Sequence, residues 1–222
     1  WSPLVIEPKI TAHQGPVSRD DAVLPLGNIA RVHRGIATGA NSFFVLSREE
    51  AEARDLLSYC VPCIARAEQI LVADGLITAQ MVDEVLLLIP PTVPREQLPQ
   101  AVQAYLREGE EQGVHLRYLC RHRRPWWSLG HPKTPPIVMT YMARRPPAFA
   151  LNPDGLVPLN IAHGIYPIQP LAPTALHRLV QALNDAASRY HTNGRTYQGG
   201  LVKFEPREVE KLLVPRSVLE TE

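Results

Sequence analysis

The 222-residue sequence has few cysteines, and it contains no long apolar run. Its three cysteines, Cys60, Cys63 and Cys120, are too few for a disulfide-stabilised secreted domain and favour a reducing cytoplasm. No apolar stretch approaches the roughly 18 residues of a membrane-spanning helix, so we expect no membrane partner. The sequence starts at Trp1 without a signal-peptide pattern, and we expect a soluble fragment of a longer protein.

The chain also lacks the motifs of several enzyme classes. None of its 13 glycines forms the G-x-G of a dinucleotide-binding turn, and no Gly-Lys pair indicates a phosphate-binding loop. No Pro-Pro pair follows an acidic or amide residue, as the catalytic tetrapeptide of amino-methyltransferases requires. A restriction-type nuclease would need Pro-Asp followed by an acid-x-Lys pair, but the residues two before Lys203 and Lys211 are Leu201 and Val209. We therefore expect no catalytic activity and no cofactor in this chain.

Carboxylates are missing from one long stretch of the sequence. No Asp or Glu occurs between Gln112 and Pro153, although the formal net charge of the whole chain is only +1. Arginine, by far the commoner basic residue here, is suited to bidentate binding of phosphate and guanine. This acid-free window therefore predicts an anionic partner. Its basic residues are Arg117, Arg121, Arg123, Arg124, Lys133, Arg144 and Arg145.

The 22 prolines are about twice the average usage of roughly 5% and favour many short elements joined by stiff turns. Ser47 followed by Glu50 is a capping box, and Thr174 is a plausible N-cap of a longer helix. Alternating and helical apolar patterns give the other elements. We predict strands over 27–36, 43–46, 85–89, 137–142, 148–151, 156–161 and 164–168, and helices over 47–57, 94–111, 174–190 and 206–213.

These elements predict an α+β fold, a single mixed domain of short, mostly antiparallel strands with flanking helices. We expect the strands over 137–142 and 148–151 to pair as a hairpin. We expect the chain to divide into an irregular entry segment over 1–24, one folded domain over 25–216 and a tail over 217–222.

Two glycine-containing turns are candidate binding segments, because glycine lets the backbone approach another molecule closely. The first could hold a phosphate or a base edge, and the second could hold a phosphate with backbone amides and an ammonium group. The alternative for both is an ordinary chain reversal. The candidate residues are Arg34, Thr38, Gly39 and Asn41 in the first turn, and Tyr197, Gly199, Gly200 and Lys203 in the second.

Arginines next to aromatic residues form two further candidate sites. Arg121, Arg123 and Arg124 precede Pro125-Trp126-Trp127, which suits phosphate contact together with stacking, although either tryptophan could belong to the core. At the predicted hairpin, Tyr141, Arg144 and Arg145 could enter the major groove as a β-ribbon does, and the alternative is a solvated basic turn. His163 could face the core or a ligand. The residues from this group with a predicted binding role are Arg121, Arg123, Arg124, Trp127, Tyr141, Arg144, Arg145 and His163.

Four segments resemble one known family. HRGIATGANSFFVL is similar to its G-x-x-TGxN-x-F turn, and CRHRRPWWSLGHPKTPPIVMTYMARRPPAFALN is similar to its R-x-PWW motif and following hairpin. LNIAHGIYP and GRTYQGGLVKFEPREVEKLLVP are similar to its closing segments. The four segments span about residues 27–215 in the expected order. The family is the C-terminal target-recognition domain of TaqI-like and type IIG restriction-modification methyltransferases, which act on adenine in DNA.

The resemblance implies a specificity module that holds double-stranded DNA while the target adenine is flipped into an upstream methyltransferase domain of the same polypeptide. It also implies S-adenosylmethionine as the cofactor of the parent enzyme, and no cofactor in this chain. The candidate residues above would then be DNA-binding residues.

Two alternatives stay open at the level of the sequence. The acid-free window could dock on an acidic protein partner or subunit. A metal-dependent enzyme is the other alternative, since Cys60-Val61-Pro62-Cys63 has the spacing of half a zinc site, to which Cys120 and His122 could add ligands.

Overall fold

The computed structural model describes residues 22–143, 146–189, 195–197 and 201–220, with the backbone alone at 142–143, 195–197 and 201–203. The strands are β1 (Val23–Pro25), β2 (Ala30–Arg34), β3 (Val45–Ser47), β4 (Cys60–Ile64), β5 (Glu84–Leu87), β6 (Ile137–Thr140), β7 (Met142–Ala143), β8 (Phe149–Leu151), β9 (Val157–Pro158), β10 (Ala162–Pro167), β11 (Arg195–Tyr197), β12 (Leu201–Lys203) and β13 (Leu213–Pro215). The α-helices are α1 (Asn41–Phe44), α2 (Arg48–Ala53), α3 (Ala67–Leu71), α4 (Gln100–Glu111), α5 (Tyr118–Arg121), α6 (Pro173–Arg189) and α7 (Pro206–Val209).

The strands pair in four sheets within the described residues. The central sheet has the order β2-β10-β6-β8, a second has the order β3-β5-β4-β9, and the smaller ones are β11-β12-β7 and β1-β13. Every pairing between these strands is antiparallel except that of β4 with β9. The structure confirms the predicted α+β class and the predicted hairpin, in which Ile137 lies opposite Leu151.

The central strand β6 is buried on both faces, which explains why its first three residues are consecutive apolar residues. Ile137 and Met139 pack in a cluster with Leu179 of α6, whereas Val138 packs in a different cluster with Ile70 of α3. α6 presents one apolar stripe to this sheet and an exposed polar side to solvent. In the described parts of the chain, no helix is both long and apolar enough to cross a bilayer.

A third cluster, which we term the aromatic cluster, lies between the β3-β5-β4-β9 sheet and α4 and contains several aromatic rings in contact. The Phe43 ring stacks on the Tyr105 ring at 4.6 Å and meets the Phe44 ring edge-on at 5.1 Å. Both phenylalanines are buried. The predicted strand over 43–46 is therefore wrong for its first half, where one turn of helix buries both rings, and correct from Val45 onward.

Several predicted boundaries differ from the structure for local reasons. α4 starts at Gln100 instead of residue 94, because Pro99 favours extended backbone in the residue before it. α6 starts at Pro173, so Thr174 is a helical residue and not the N-cap. At the chain ends, Val23 belongs to the predicted irregular segment but pairs with Pro215. Val218 belongs to the predicted tail but is buried in the cluster that contains Leu179 of α6.

Candidate nucleic-acid interface

Strand ends bring three predicted residues together although they are far apart in sequence. Arg34 at the end of β2 lies opposite His163 of β10, and Tyr141 directly follows β6. The rings of Tyr141 and His163 are 4.5 Å apart, and the Arg34 guanidinium carbon is 5.4 Å from the centre of the Tyr141 ring. Together with Glu205, these residues form what we term the strand-end cluster.

Glu205 is a member of this cluster that the sequence analysis missed. Its carboxylate accepts a hydrogen bond from Arg34 Nη2 at 2.5 Å, and the Arg34 side chain is 55% exposed. Glu205 is also the N-cap of α7, where its backbone N–H donates to the Glu208 carboxylate at 3.0 Å. The sequence signal was available as a capping box around Pro206, but that signal indicates a helix start and not proximity to Arg34.

His163 is the fully buried member of the strand-end cluster. Its Nε2 atom lies 2.9 Å from the Phe204 carbonyl oxygen, to which the neutral Nε2–H form donates. Burial lowers the pKa of this imidazole. In this conformation His163 offers no surface to a ligand, and its ring packs at a tilt of 45° against the Tyr141 ring.

Arg123 fixes the first glycine turn from the inside. Its guanidinium donates hydrogen bonds to the Ala37 carbonyl at 2.7 Å and to the Thr38 carbonyl at 2.6 Å. The Thr38 side chain is fully buried, and its hydroxyl donates to the Asn41 side chain and accepts from the Ala40 N–H. Arg123 and Thr38 therefore shape the turn, while the Asn41 side chain remains largely exposed.

Both glycines of this turn are required by contacts within the chain. Gly39 has a φ of +82°, and a Cβ atom there would lie 2.7 Å from Leu119 Cβ in α5. A Cβ atom on Gly35 would lie 2.1 Å from the Leu159 carbonyl oxygen. The close backbone approach that the sequence indicated is thus made to the chain's own α5 and Leu159.

The other two arginines of the predicted run point outward. Arg121 is exposed, with its guanidinium carbon 5.3 Å from the Tyr118 ring. Arg124 is exposed as well and donates to the Arg121 and Arg123 carbonyls at 2.8 Å, at the end of α5. Arg121 at the end of α5 and Arg124 just beyond it therefore place two exposed basic side chains next to the turn that Arg123 holds.

The two tryptophans belong mainly to the aromatic cluster. Trp127 is only 8% exposed, and Trp126 packs on the Phe43 ring at 5.5 Å while its indole N–H donates to Glu110 at 3.2 Å. Arg95 pairs with the same Glu110 carboxylate. Trp127 therefore anchors the segment that carries the arginines and has little surface to offer a ligand.

The remaining predicted residues fall at or beyond the edge of the described structure. β12 pairs with β7 on one side and with β11 on the other, so Lys203 lies opposite Met142 and Tyr197 lies opposite Leu201. The side chains of Tyr197 and Lys203 are not among those described. Arg144, Arg145, Gly199 and Gly200 lie outside the described residues.

The cysteines have the properties of packed thiols. Burial raises the pKa of Cys60 to about 11 and that of Cys63 to about 12, and it also raises the pKa of Cys120. All three are free thiols. Across the described residues, no group of three or more His, Cys, Asp or Glu side chains is arranged to hold a metal ion.

Comparison with known proteins gives one family for the whole chain. The C-terminal domain of the type II methyltransferase M.Eco57I defines a family whose profile matches residues 1–222. The type II methyltransferase M.XamI of Xanthomonas campestris pv. amaranthicola is 34% identical over 217 residues, which are 97% of this chain and 39% of that protein. M.AccI of Acinetobacter calcoaceticus is 28% identical over 196 residues, 85% of this chain and 36% of that protein.

The chain therefore spans less than two fifths of the curated relatives it matches. Among solved structures, the type IIG restriction endonuclease BpuSI aligns with 87% of this chain and 24% of its own, at a TM-score of 0.54 and 11% identity. At that identity the similarity concerns the fold alone.

Proposed function

Since the chain belongs to the family of C-terminal domains of M.Eco57I-type type II methyltransferases, we propose that it is the DNA target-recognition module of an adenine-specific DNA methyltransferase. The parent polypeptide would contain the S-adenosylmethionine site and the catalytic centre. The chain would hold double-stranded DNA while the target adenine is flipped into that centre.

The observation that carries this proposal is the placement of basic side chains around the first glycine turn. Arg34 lies at the start of the turn, Arg123 holds its middle, and the exposed Arg121 and Arg124 flank Arg123. Arg34, Arg121 and Arg124 are exposed cationic groups around a turn that internal hydrogen bonds hold in place. Such an arrangement suits the phosphates of a duplex, because the scaffold fixes the spacing of the charges.

We assign the predicted residues to two roles. Arg34, Arg121, Arg124, Asn41 and Tyr141 would contact DNA. The positioning role falls to the buried or internally bonded residues, which are Thr38, Gly39, Arg123, Trp127 and His163. From the sequence alone, we keep Arg144, Arg145, Tyr197, Gly199, Gly200 and Lys203 as further proposed contacts.

The test is duplex binding measured by fluorescence anisotropy with a labelled mixed-sequence duplex. We expect binding that weakens steeply with salt, since each neutralised phosphate contributes a log–log slope of about −0.9. The double substitution Arg121→Ala with Arg124→Ala removes two outward cations. Arg107→Ala is the matched control, because Arg107 is exposed on α4 beside Glu108, Glu110 and Glu111.

The expected result is weaker binding and a shallower salt slope, by about 1 to 2, for the double variant only. Equal binding by the wild type and the double variant would reject these arginines as contacts. A wild-type chain that binds no duplex at low salt would reject the recognition function for this chain.

A specific observation also favours a second candidate, a protein-interaction module. Leu116 is 66% exposed and Tyr118 is 69% exposed, so the acid-free window has an apolar component next to Arg121. Such a patch is typical of protein contacts. This function predicts association with an acidic protein that competing duplex DNA does not displace.

A further inference from the structure

A groove lies beside Gly35, between the end of β2 and the loop over 129–133. Its volume is about 390 Å³. Arg34 at its edge is shared with the strand-end cluster, and its other polar lining residues, such as His131 and Lys133, were not among the predicted contacts.

The rim of the groove is basic. Arg34, His33, His131 and Lys133 line it, and all four side chains are exposed. None of its lining residues, all of them within the described structure, is Asp or Glu. A ligand in the groove therefore meets cationic and imidazole groups and no carboxylate in the lining itself, while Glu205, outside the lining, pairs with Arg34 and leaves Lys133 as the principal cation for a phosphate.

The wall of the groove is apolar and well fixed. Leu129 and Pro158 line it, and the Tyr166 hydroxyl donates to the Lys133 carbonyl at 3.0 Å, which ties the 129–133 loop to β10. The Tyr166 ring also lies 5.5 Å from the His33 ring. Lys133 thus projects from a loop whose backbone is held in place.

We infer that this groove binds the sugar–phosphate backbone of duplex DNA, with Lys133 as a phosphate contact. A cationic rim suits phosphate oxygens, and an apolar wall suits the carbon face of deoxyribose. Contacts of this kind fix position and carry no sequence information. The inference rests on the proposed function, to which it adds a contact on the groove side of Gly35.

The test compares Lys133→Ala, Lys133→Arg and Arg107→Ala in duplex binding over a range of salt concentrations, with several duplexes of unrelated sequence. Lys133→Ala is expected to weaken binding several-fold and by the same factor for every duplex. It should also make the salt slope shallower by about 0.9, the value of one phosphate contact. Lys133→Arg and Arg107→Ala should bind as the wild type does.

The outcomes separate this inference from the proposed function. If the wild type binds duplex and Lys133→Ala has an unchanged salt slope, the groove is not a backbone site, while the recognition function stands. If the wild type binds no duplex, the recognition function itself fails. A Lys133→Ala effect that differs among duplexes would overturn the claim that the contact is independent of sequence.

A second arm distinguishes the DNA backbone from a free anion. Inorganic phosphate is added at constant ionic strength to the complexes of the wild type and of Lys133→Ala. We expect no displacement of the duplex from either protein, because the groove requires sugar and phosphate together. Displacement from the wild type alone would identify a free-anion site and overturn the inference.

Discussion

Arg123 illustrates how a basic residue in an arginine run can serve the fold. Its neighbours Arg121 and Arg124 are exposed, whereas its own guanidinium donates to the carbonyls of Ala37 and Thr38. Hydrogen bonds from a charged donor are worth more than neutral ones when partly shielded from water. The position of one side chain within the run therefore decides whether it is exposed or bonded to the turn.

We predict that Arg123→Ala lowers the free energy of unfolding by about 2 kcal/mol, because two turn carbonyls lose a charged donor. Urea denaturation measures this change. Arg121→Ala is the control, and its effect should stay within about 0.5 kcal/mol, as is usual for exposed residues. Equal stabilities of the two variants would mean that Arg123 does not hold the turn.

His163 should make the stability of the chain depend on pH. Burial lowers its pKa in the folded state, so below about 6.5 the unfolded state binds a proton that the folded state resists. Its contribution to stability is thus complete above about pH 6.5 and is lost as the pH falls towards the lower pKa of the folded state.

The corresponding variant is His163→Gln, which removes the titrating group. We expect its unfolding free energy to fall less than that of the wild type between about pH 7 and about pH 5. The control is His122→Gln, which replaces an exposed histidine. Parallel pH profiles for the wild type and His163→Gln would contradict this prediction.

Among the elements, the first glycine turn is the one most constrained by its surroundings. Gly39→Ala must adopt a φ of +82° and place Cβ within 2.7 Å of Leu119 Cβ, so we expect a loss of stability of about 2 to 3 kcal/mol. Gly130→Ala is a matched control, because Gly130 has a φ of +72° with no atom within 4 Å of an added Cβ.

Thermal or urea unfolding separates the two causes. Gly130→Ala should lose about 1 kcal/mol from backbone strain alone, and Gly39→Ala should lose clearly more because of the contact with α5. Equal losses of unfolding free energy in the two variants would mean that α5 moves aside at no cost and that the turn is not packed against it.

Elements with a strong local signal were predictable from the sequence. The apolar run of β6 with its hairpin partner β8 and the amphipathic α6 were placed within a few residues. The first half of the predicted strand over 43–46 was not predictable, because the burial of Phe43 against Tyr105 is a tertiary contact that local pattern does not report. The predicted N-cap at Thr174 was wrong for a different, local reason. Proline is compatible with the first position of a helix, and α6 therefore starts one residue earlier, at Pro173.

At the scale of the whole molecule, sequence reasoning found candidates but not their arrangement. Arg34, Tyr141 and His163 were predicted separately, and only the strand register brings them together. The pairing of Glu205 with Arg34 and the groove beside Lys133 were not predicted, because both depend on which loops meet. Among the predicted residues whose side chains the structure describes, burial separates exposed from internal ones, a distinction that residue type alone does not make.

The negative charge of Glu205 gives a prediction about the affinity of the whole interface for DNA. Glu205 is a carboxylate within hydrogen-bond distance of Arg34, and it lowers the positive potential that a phosphate would meet. Glu205→Gln should therefore bind duplex DNA several-fold more tightly at low salt, as measured by anisotropy. Weaker binding by this variant would indicate that Glu205 itself contacts the DNA or is needed to orient Arg34.

The central claim is that this chain holds DNA on the face built around the first glycine turn. The most direct test is to record amide proton–nitrogen correlation spectra of the isotopically labelled chain while unlabelled mixed-sequence duplex is added. We predict that the perturbed amides cluster at 33–41, 117–133 and around Tyr141 and Glu205, with the exposed side of α6 unaffected. Perturbations confined to α6 and α3, or none at low salt, would contradict the claim.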